Sequence, residues 1–242
     1  MDQVTFGKKV IEYSIKKGNR RKSLAISITP ASQVIVLAPR FLNEDKIKSI
    51  VKNKSRWILE KQNYFKRLSE QYPPKEFVSG EQILFLGRKY RLKLRSNEEG
   101  FGRPPVLSGR RMSIFIDNQN NPEDRKQRIK NTIANWFADK AEKIVGQRVK
   151  RYANLLGVKP TGIKIREQKK QWGSCSKSGI LRFNWRIAMA PISIIDYIVV
   201  HELTHLKVQN HSADFWRLVS LVVSDYQNRR KWLRENSAAF RL

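Results

Sequence analysis

Apolar and polar residues alternate over the first forty positions in three short runs, Val10 to Ile15, Leu24 to Ile28 and Val34 to Leu37. A period of two belongs to strands with one buried face, and the basic stretch and the Thr29-Pro30-Ala31-Ser32 segment between the runs read as turns. A small meander is predicted. The period then lengthens: Ile47, Ile50, Val51, Trp57, Ile58, Phe65 and Leu68 recur at mainly helical spacing, after the capping residue Asn43 and before Pro73-Pro74. One long helix over about 44–70 is expected.

Residues 82–95 read as a hairpin turned near Gly87-Arg88, and Met112 to Ile116 as a strand after the Gly/Pro-rich stretch 100–109. Asn121-Pro122-Glu123-Asp124 combines a cap, a proline at the first helical position and two acids in the first turn. This starts a helix that runs to about Leu156, where Gly157 ends it. Strands are expected at 163–168 and 180–187, flanking Trp172-Gly173-Ser174-Cys175. Pro191 opens another helix, and Ser212, followed by Asp214, opens the next. No internal repeat at a fixed period is visible. The pattern is that of an α+β chain, with a β-rich N-terminal region over 1–120 containing the 44–70 helix, and a second domain over 121–242.

Composition shows that these elements can fold. Of 242 residues, 40% are hydrophobic and six are Trp, too apolar for a disordered basic tail. A chain of this length buries roughly 70–75% of its surface, enough for one large or two small domains. Charge adds a bias. Forty-nine Lys+Arg against 21 Asp+Glu give +28. The excess is +11 over 1–75, +2 over 76–125 and +15 over 126–242, so it is not one tail. The longest uncharged apolar run, Ile187 to Ile195, is too short to span a bilayer, no leader pattern stands at the N-terminus, and Cys175 is the single cysteine. A soluble, unexported, cytoplasmic protein without membrane partners is expected.

Histidine changes the picture most. All three, His201, His205 and His211, fall in one eleven-residue window. His201-Glu202-Leu203-Thr204-His205 matches H-E-x-x-H, which on a helix places two imidazoles one turn apart on one face, able to share a tetrahedral ion. Glu202 lies about 100° around the helix, free to face a metal-bound water. The surrounding Ile194, Ile195, Ile198, Val199, Val200, Leu203 and Leu206 predict a buried helix, where two imidazoles and a carboxylate need partners that a metal supplies. His211 is the candidate third ligand, brought back by a helix end at Gln209-Asn210 with Asn in the left-handed C-cap conformation. Asp214 and Glu235 are the fallback ligands. Three nitrogens leave one open position, the pattern of a catalytic zinc with Glu202 as general base. The spacing matches H-E-x-x-H-x-x-G-x-x-H proteases, with two departures: Val208 at the glycine position and no Met after His211 to make a Met-turn.

The runs Gln171 to Ser176, Leu181 to Arg186, Ile195 to His205, Asn210 to Ser212 and Phe215-Trp216 resemble the YgjP-like metallopeptidases, a family related to the SprT-like and Wss1-like zinc proteases. The resemblance covers most of the chain. It implies a zincin-like catalytic domain with an active-site helix, a long backing helix and a small sheet with an edge strand. It also implies that His201, His205 and His211 are zinc ligands and that Glu202 is the catalytic glutamate. Segment 180–187 is the candidate edge strand, receiving an extended peptide as an added strand, with Asn184 and Arg186 as candidate substrate-binding residues. A packed turn at Trp172-Gly173 and an inert thiol at Cys175 are expected, with Cys175 as an inhibitory metal ligand the alternative. Asp214, rather than Asp196, is the candidate partner for a ligand imidazole, and Tyr197, Tyr226 and Arg186 are candidate electrophilic helpers.

The expected function is zinc-dependent hydrolysis of a peptide or protein. A metal-dependent nucleotide pyrophosphohydrolase is the alternative, since some relatives carry that label and the basic surface suits polyphosphates. A third reading is nucleic-acid association, or a protease acting on DNA-bound proteins. It rests on Lys16-Lys17, Arg20-Arg21-Lys22, Lys46 to Lys54 and Arg229-Arg230-Lys231 lying near Tyr13, Trp57 and Trp232.

Overall fold

A computed structural model describes residues 2–19, 22–96, 102–116, 121–168 and 171–242. Arg20-Arg21 of the basic cluster and residues 100–101 of the Gly/Pro-rich stretch lie outside the described residues. The mixed α+β chain divides into two compact units, Met1–Pro74 and Lys75–Leu242. Compactness therefore divides it before the second hairpin, whereas the sequence pattern suggests 120/121.

In the first unit, β1 (Asp2–Phe6) turns back at Gly7, in the left-handed region, into β2 (Lys9–Gly18). β3 (Ala25–Ile28) and β4 (Val34–Pro39) complete a sheet of order β1-β2-β4-β3, with only the central β2/β4 pair parallel. Asn43 caps α1 (Glu44–Asn53), its side-chain oxygen accepting from the Lys46 N–H at 3.0 Å. Ile47, Val51 and Ile58 pack with Ile11, Tyr13 and Val36 in one core.

The single helix expected over 44–70 is two. α1 stops at Lys54, and α2 (Ser55–Gln71) begins at once. The Lys54 N–H turns to the carbonyls of Ile50 and Val51, and the buried Ser55 hydroxyl donates back to Val51 O at 3.2 Å. Serine competing for a backbone carbonyl bends a helix, and here the bend keeps Ile58 on the core. Only Ser55 and Ile58 of α2 are buried; Trp57 is 40% exposed.

The second unit opens with the same wiring. β5 (Gln82–Phe85), β6 (Arg88–Ser96), β7 (Val106–Ser108) and β8 (Arg111–Ile116) pair in the order β5-β6-β8-β7, again with only the central pair parallel. The hairpin turns at Leu86-Gly87, both at positive φ. Asn121 then caps α3 (Pro122–Leu156), accepting from the Glu123 N–H, and left-handed Gly157 ends it. At 35 residues α3 is about 50 Å long, with buried residues from Ile129 to Leu156.

β9 (Gly162–Arg166), β10 (Gly173–Cys175) and β11 (Ile180–Asn184) form a third sheet of order β10-β11-β9. The segment expected at the sheet edge is therefore its centre, antiparallel to β10 and parallel to β9. The turn at Ser176 to Gly179, with Gly179 at φ +78°, folds Trp172–Cys175 back onto β11 and makes β10 the edge. β11 ends at Asn184, whose side chain caps a 3-10 turn (Trp185–Met189).

α4 (Ile192–Thr204) comes next, then α5 (Ala213–Val222) and α6 (Tyr226–Asn236). The N–H groups of Leu86 and Gly87 donate to Ala188 O and Met189 O at 2.8 and 3.0 Å, and a Cβ on Gly87 would stand 2.7 Å from Pro191. Farther along α4, Asp196 takes both ends of the Arg148 guanidinium from α3. These ties hold α4 against the sheet and α3. Among the described residues no helix is long and apolar enough to cross a membrane.

Candidate active site

α4 is buried almost all round, through Ile194, Ile195, Ile198, Val199, Val200 and Leu203, so its polar residues stand out. His201 and His205 are half-buried one turn apart, and Glu202 is buried. The helix ends earlier than expected, at Thr204, whose hydroxyl bonds back to Val200 O at 2.8 Å. Residues 206–208 form a tight turn held by N–H bonds to Leu203 and Thr204, and the Gln209 amide donates to His205 O at 2.6 Å. Asn210 is not left-handed; its side-chain oxygen accepts from the Ser212 N–H instead. The turn saturates the helix end without the expected asparagine cap and returns His211 to the site.

One nitrogen from each of His201, His205 and His211 lies within 4.8 Å of the others. The Nε2 atoms of His201 and His211 are 3.1 Å apart. Ligand nitrogens on a tetrahedral zinc at about 2.0–2.1 Å stand roughly 3.4 Å apart, so the donor set fits such an ion with small adjustments. The His205 Nδ1–H donates to the Val208 carbonyl at 3.1 Å, which fixes the tautomer and leaves Nε2 for the metal. Val208, the departure from the glycine pattern, thus supplies a backbone oxygen. His201 Nδ1 is buried without a partner among the described residues.

Phe215 is fully buried beneath the cluster, its ring 4.9, 4.6 and 4.8 Å from those of His201, His205 and His211. Trp216 stacks on His211 at 5.7 Å. This apolar floor favours the neutral form of His201 and His205, the form that binds a cation. Burial, then the neighbouring His205, His211 and Arg230, pushes His201 down to about 3; burial also lowers His205, against the opposing Val208 carbonyl. Burial raises the Glu202 carboxyl to about 8, and a cation held beside it would oppose that shift.

Gly173 of β10 explains how Glu202 fits. A Cβ there would come within 2.6 Å of the Glu202 Cγ and Oε1, so the strand lies directly on the carboxylate. Asn184 N donates to Trp172 O and Ser176 N to Ile180 O, which makes Ser174 and Arg182 the bonded pair between them. The N–H and C=O of Gly173 and Cys175 consequently point away from β11, along an edge that pairs with no strand among the described residues.

The other sequence candidates are not among the metal-ligand group. Asn184 is buried and spends its amide on Gln168 O at 2.7 Å and its oxygen on the Arg186 N–H. Arg186 pairs with Glu167 at 2.9 Å and lies over Trp185. Asp214 is exposed and pairs with Arg217, Asp196 belongs to Arg148, and neither orients an imidazole in place of Val208. Neither Asp214 nor Glu235 joins the metal-ligand group, and neither does Cys175, whose thiol burial pushes up. Ser212 precedes α5 without a side-chain capping bond. Tyr197 packs on His201 with ring centres 6.0 Å apart, and Tyr226 stacks on Trp216. Gly173, Val208 and Phe215 take places at the site that the H-E-x-x-H spacing does not assign, and the glycine inside Trp172–Cys175 is the one sequence signal for them.

Three imidazoles converging beside a buried carboxylate form a site able to bind a metal, set in an α+β fold, and the comparisons give the class as metallopeptidase. The chain belongs to the YgjP-like family, whose metallopeptidase-domain model matches residues 22–236. It is similar to the crystal structure of the metallopeptidase zymogen abylysin of Pyrococcus abyssi, with 25% identity over 40% of this chain and 96% of that one, TM-score 0.36. It is also similar to the zymogen jannalysin of Methanocaldococcus jannaschii, with 26% identity, 31% and 78% coverage and TM-score 0.30. No curated protein sequence matches it.

Proposed function

We propose that the protein is a zinc-dependent peptidase in which His201, His205 and His211 hold the ion and Glu202 moves the proton. One observation carries this reading: three imidazole nitrogens converge next to a buried carboxylate that has no hydrogen-bond donor among the described residues and lies beneath an open strand edge. An all-imidazole donor set suits zinc better than magnesium or calcium. The ion would supply Lewis acidity to the peptide carbonyl and to the attacking water.

The remaining work belongs to side chains and backbone of this protein. An extended peptide adds to β10 through the outward N–H and C=O groups of Gly173 and Cys175, which sets its carbonyl over the carboxylate. Glu202 takes the proton of the attacking water on its carboxylate and passes it to the departing amine nitrogen. Phe215 and the apolar face of α4 limit water around these steps.

The family and the donor set give no support to nucleotide hydrolysis, because no carboxylate cage for magnesium accompanies the histidines among the described residues. Nucleic-acid association likewise has no support from the family. The test is metal analysis with Glu202→Gln. Purified protein should contain about one zinc per chain, and the variant should keep the metal while losing at least about a thousandfold in peptide hydrolysis. A metal-free, folded preparation with full activity would overturn the reading.

A further inference from the structure

Beside the triad lies a cleft of about 430 Å³ lined by Trp216, Tyr226, Gln227, Arg230, Lys231 and Arg234. Its wall is continuous with the site. Trp216 stacks on His211 at 5.7 Å, Tyr226 stacks on Trp216 at 5.1 Å and 14°, and the Arg230 guanidinium lies 5.0 Å from the Trp216 ring centre. Arg230, Lys231 and Arg234 are exposed, and none has an ion pair among the described residues. The neighbouring arginine on the helix behaves differently: Arg229 spends its charge on Asp225 at 2.8 Å and on Ser193 O. The cleft therefore presents three uncompensated cations and a flat aromatic wall, with no acid of its own to neutralise them.

We infer that this cleft is a specificity subsite that receives a carboxylate of the substrate, with Arg230 on Trp216 as its principal contact. A guanidinium held over an indole ring keeps N–H groups free for a planar carboxylate, and the aromatic wall covers the methylenes behind that carboxylate. Two contacts of about 5 Å separate Arg230 from the imidazoles, which at roughly 3.5 Å per extended residue places the carboxylate within about three residues of the scissile bond. The preferred substrate is an acidic peptide. This inference rests on the peptidase reading above and gives that site its selectivity. The carboxylate can belong to a Glu or Asp side chain or to the peptide's own C-terminus, two sources of the same chemistry.

The test uses the full-length, zinc-loaded protein and quenched peptides with amidated ends, identical except for Glu, Gln or Lys scanned through three positions on either side of the cleaved bond. A second Gln peptide carries a free C-terminal carboxylate. At one position Glu should raise kcat/KM about tenfold over Gln, the scale of a single charge-assisted contact in a partly exposed site. Arg230→Met should bring that ratio to within about twofold, and Arg230→Lys should restore part of it. Zinc content equal to the wild type shows that the variants are folded. Binding of the same peptides to the Glu202→Gln protein, followed by tryptophan fluorescence, should give the same Glu-over-Gln order without turnover. If only the free C-terminus accelerates cleavage, and Arg230→Met removes that gain, the chain end is the carboxylate that binds. A Glu-to-Gln ratio near one in the wild type with no gain from the free terminus, or any gain left unaltered by Arg230→Met, overturns the inference while the peptidase reading stands. If the zinc-loaded protein cuts none of the peptides, the peptidase reading fails and this inference with it.

Discussion

The two four-stranded sheets share one design and lead to different outcomes. In each, a glycine-turned hairpin, a parallel pairing and a returning antiparallel strand give the same order, and an asparagine-capped acidic helix comes after them. Each hairpin turns through two residues that include one glycine, Gly7-Lys8 between Phe6 and Lys9 and Leu86-Gly87 between Phe85 and Arg88, the glycine standing first in one loop and second in the other. In the first unit the helix bends after ten residues, and its continuation buries little beyond Ile58. In the second it runs on for 35 residues, and its apolar side supports Trp185, Ile187 and the histidine helix. The candidate chemistry is thus not a property of the repeated sheet-and-helix design. It arises only where the helix is long enough to back a second layer.

Equal damage to the two cores should break that comparison most visibly. Phe137, fully buried among Phe85, Trp136 and Trp185, should cost about 3–5 kcal/mol when changed to Ala, and metal binding should fall with the second unit. Ile47→Ala should cost the first unit about 2–5 kcal/mol and leave the metal content unchanged. Thermal unfolding paired with zinc analysis reads both, and loss of zinc in the Ile47 variant would show that the units are not separate in function.

Gly173→Ala comes next. The added methyl must displace Glu202 or β10, so peptide hydrolysis should fall by about a hundredfold with zinc retained. Gly7→Ala, at the first unit's hairpin, where nothing lies within 4 Å of the added carbon, should affect only stability, through its positive φ.

The smallest effect is in pH dependence, measured on protein stripped of metal by chelation. The folded pKa of Glu202, raised to about 8, exceeds that of the unfolded chain, so the native state holds its proton more tightly. Glu202's contribution to stability should fall as pH rises from about 4.5 to 8, while His201, held down at about 3, contributes the opposite trend below about 6.5, so the difference between wild type and a Glu202 variant isolates the carboxyl. Glu202→Gln should remove this loss and be more stable than the wild type at pH 9, the gap closing by pH 4. Chemical denaturation at the two pH values decides it, and a wild type as stable as the variant at pH 9 would contradict the burial argument.

Much of this was legible in the sequence because it is local. Asn43, Asn121-Pro122 and Gly157 fix helix ends through backbone chemistry within four residues, and the H-E-x-x-H spacing brings two imidazoles together through one helical turn. The hidden features depend on partners distant along the chain. The apolar spacing through Trp57 and Phe65 looks helical throughout, yet it cannot reveal that Ser55 turns back on Val51 or that no core covers α2's outer face. The run 180–187 has the composition of a strand, but whether it is an edge or a centre depends on Trp172–Cys175 folding back over Gly179. The matching halves are not visible as a repeat because their common residues are confined to one glycine in each two-residue hairpin loop and an asparagine helix cap, while the shared strand order is written in pairings between segments far apart.

The ties at Leu86 and Gly87 give the histidine helix two unlike ends. Its start is pinned by two backbone hydrogen bonds and a contact with no room for a methyl group, whereas its far end passes into the short turn that carries His205 toward His211. In mechanical terms the site is a vise, one jaw a helix anchored at its start and the other a turn locked by its own hydrogen bonds. His201 and Glu202 ride on the last turn of that anchored helix, and the third imidazole is placed by the hydrogen-bonded turn between His205 and His211.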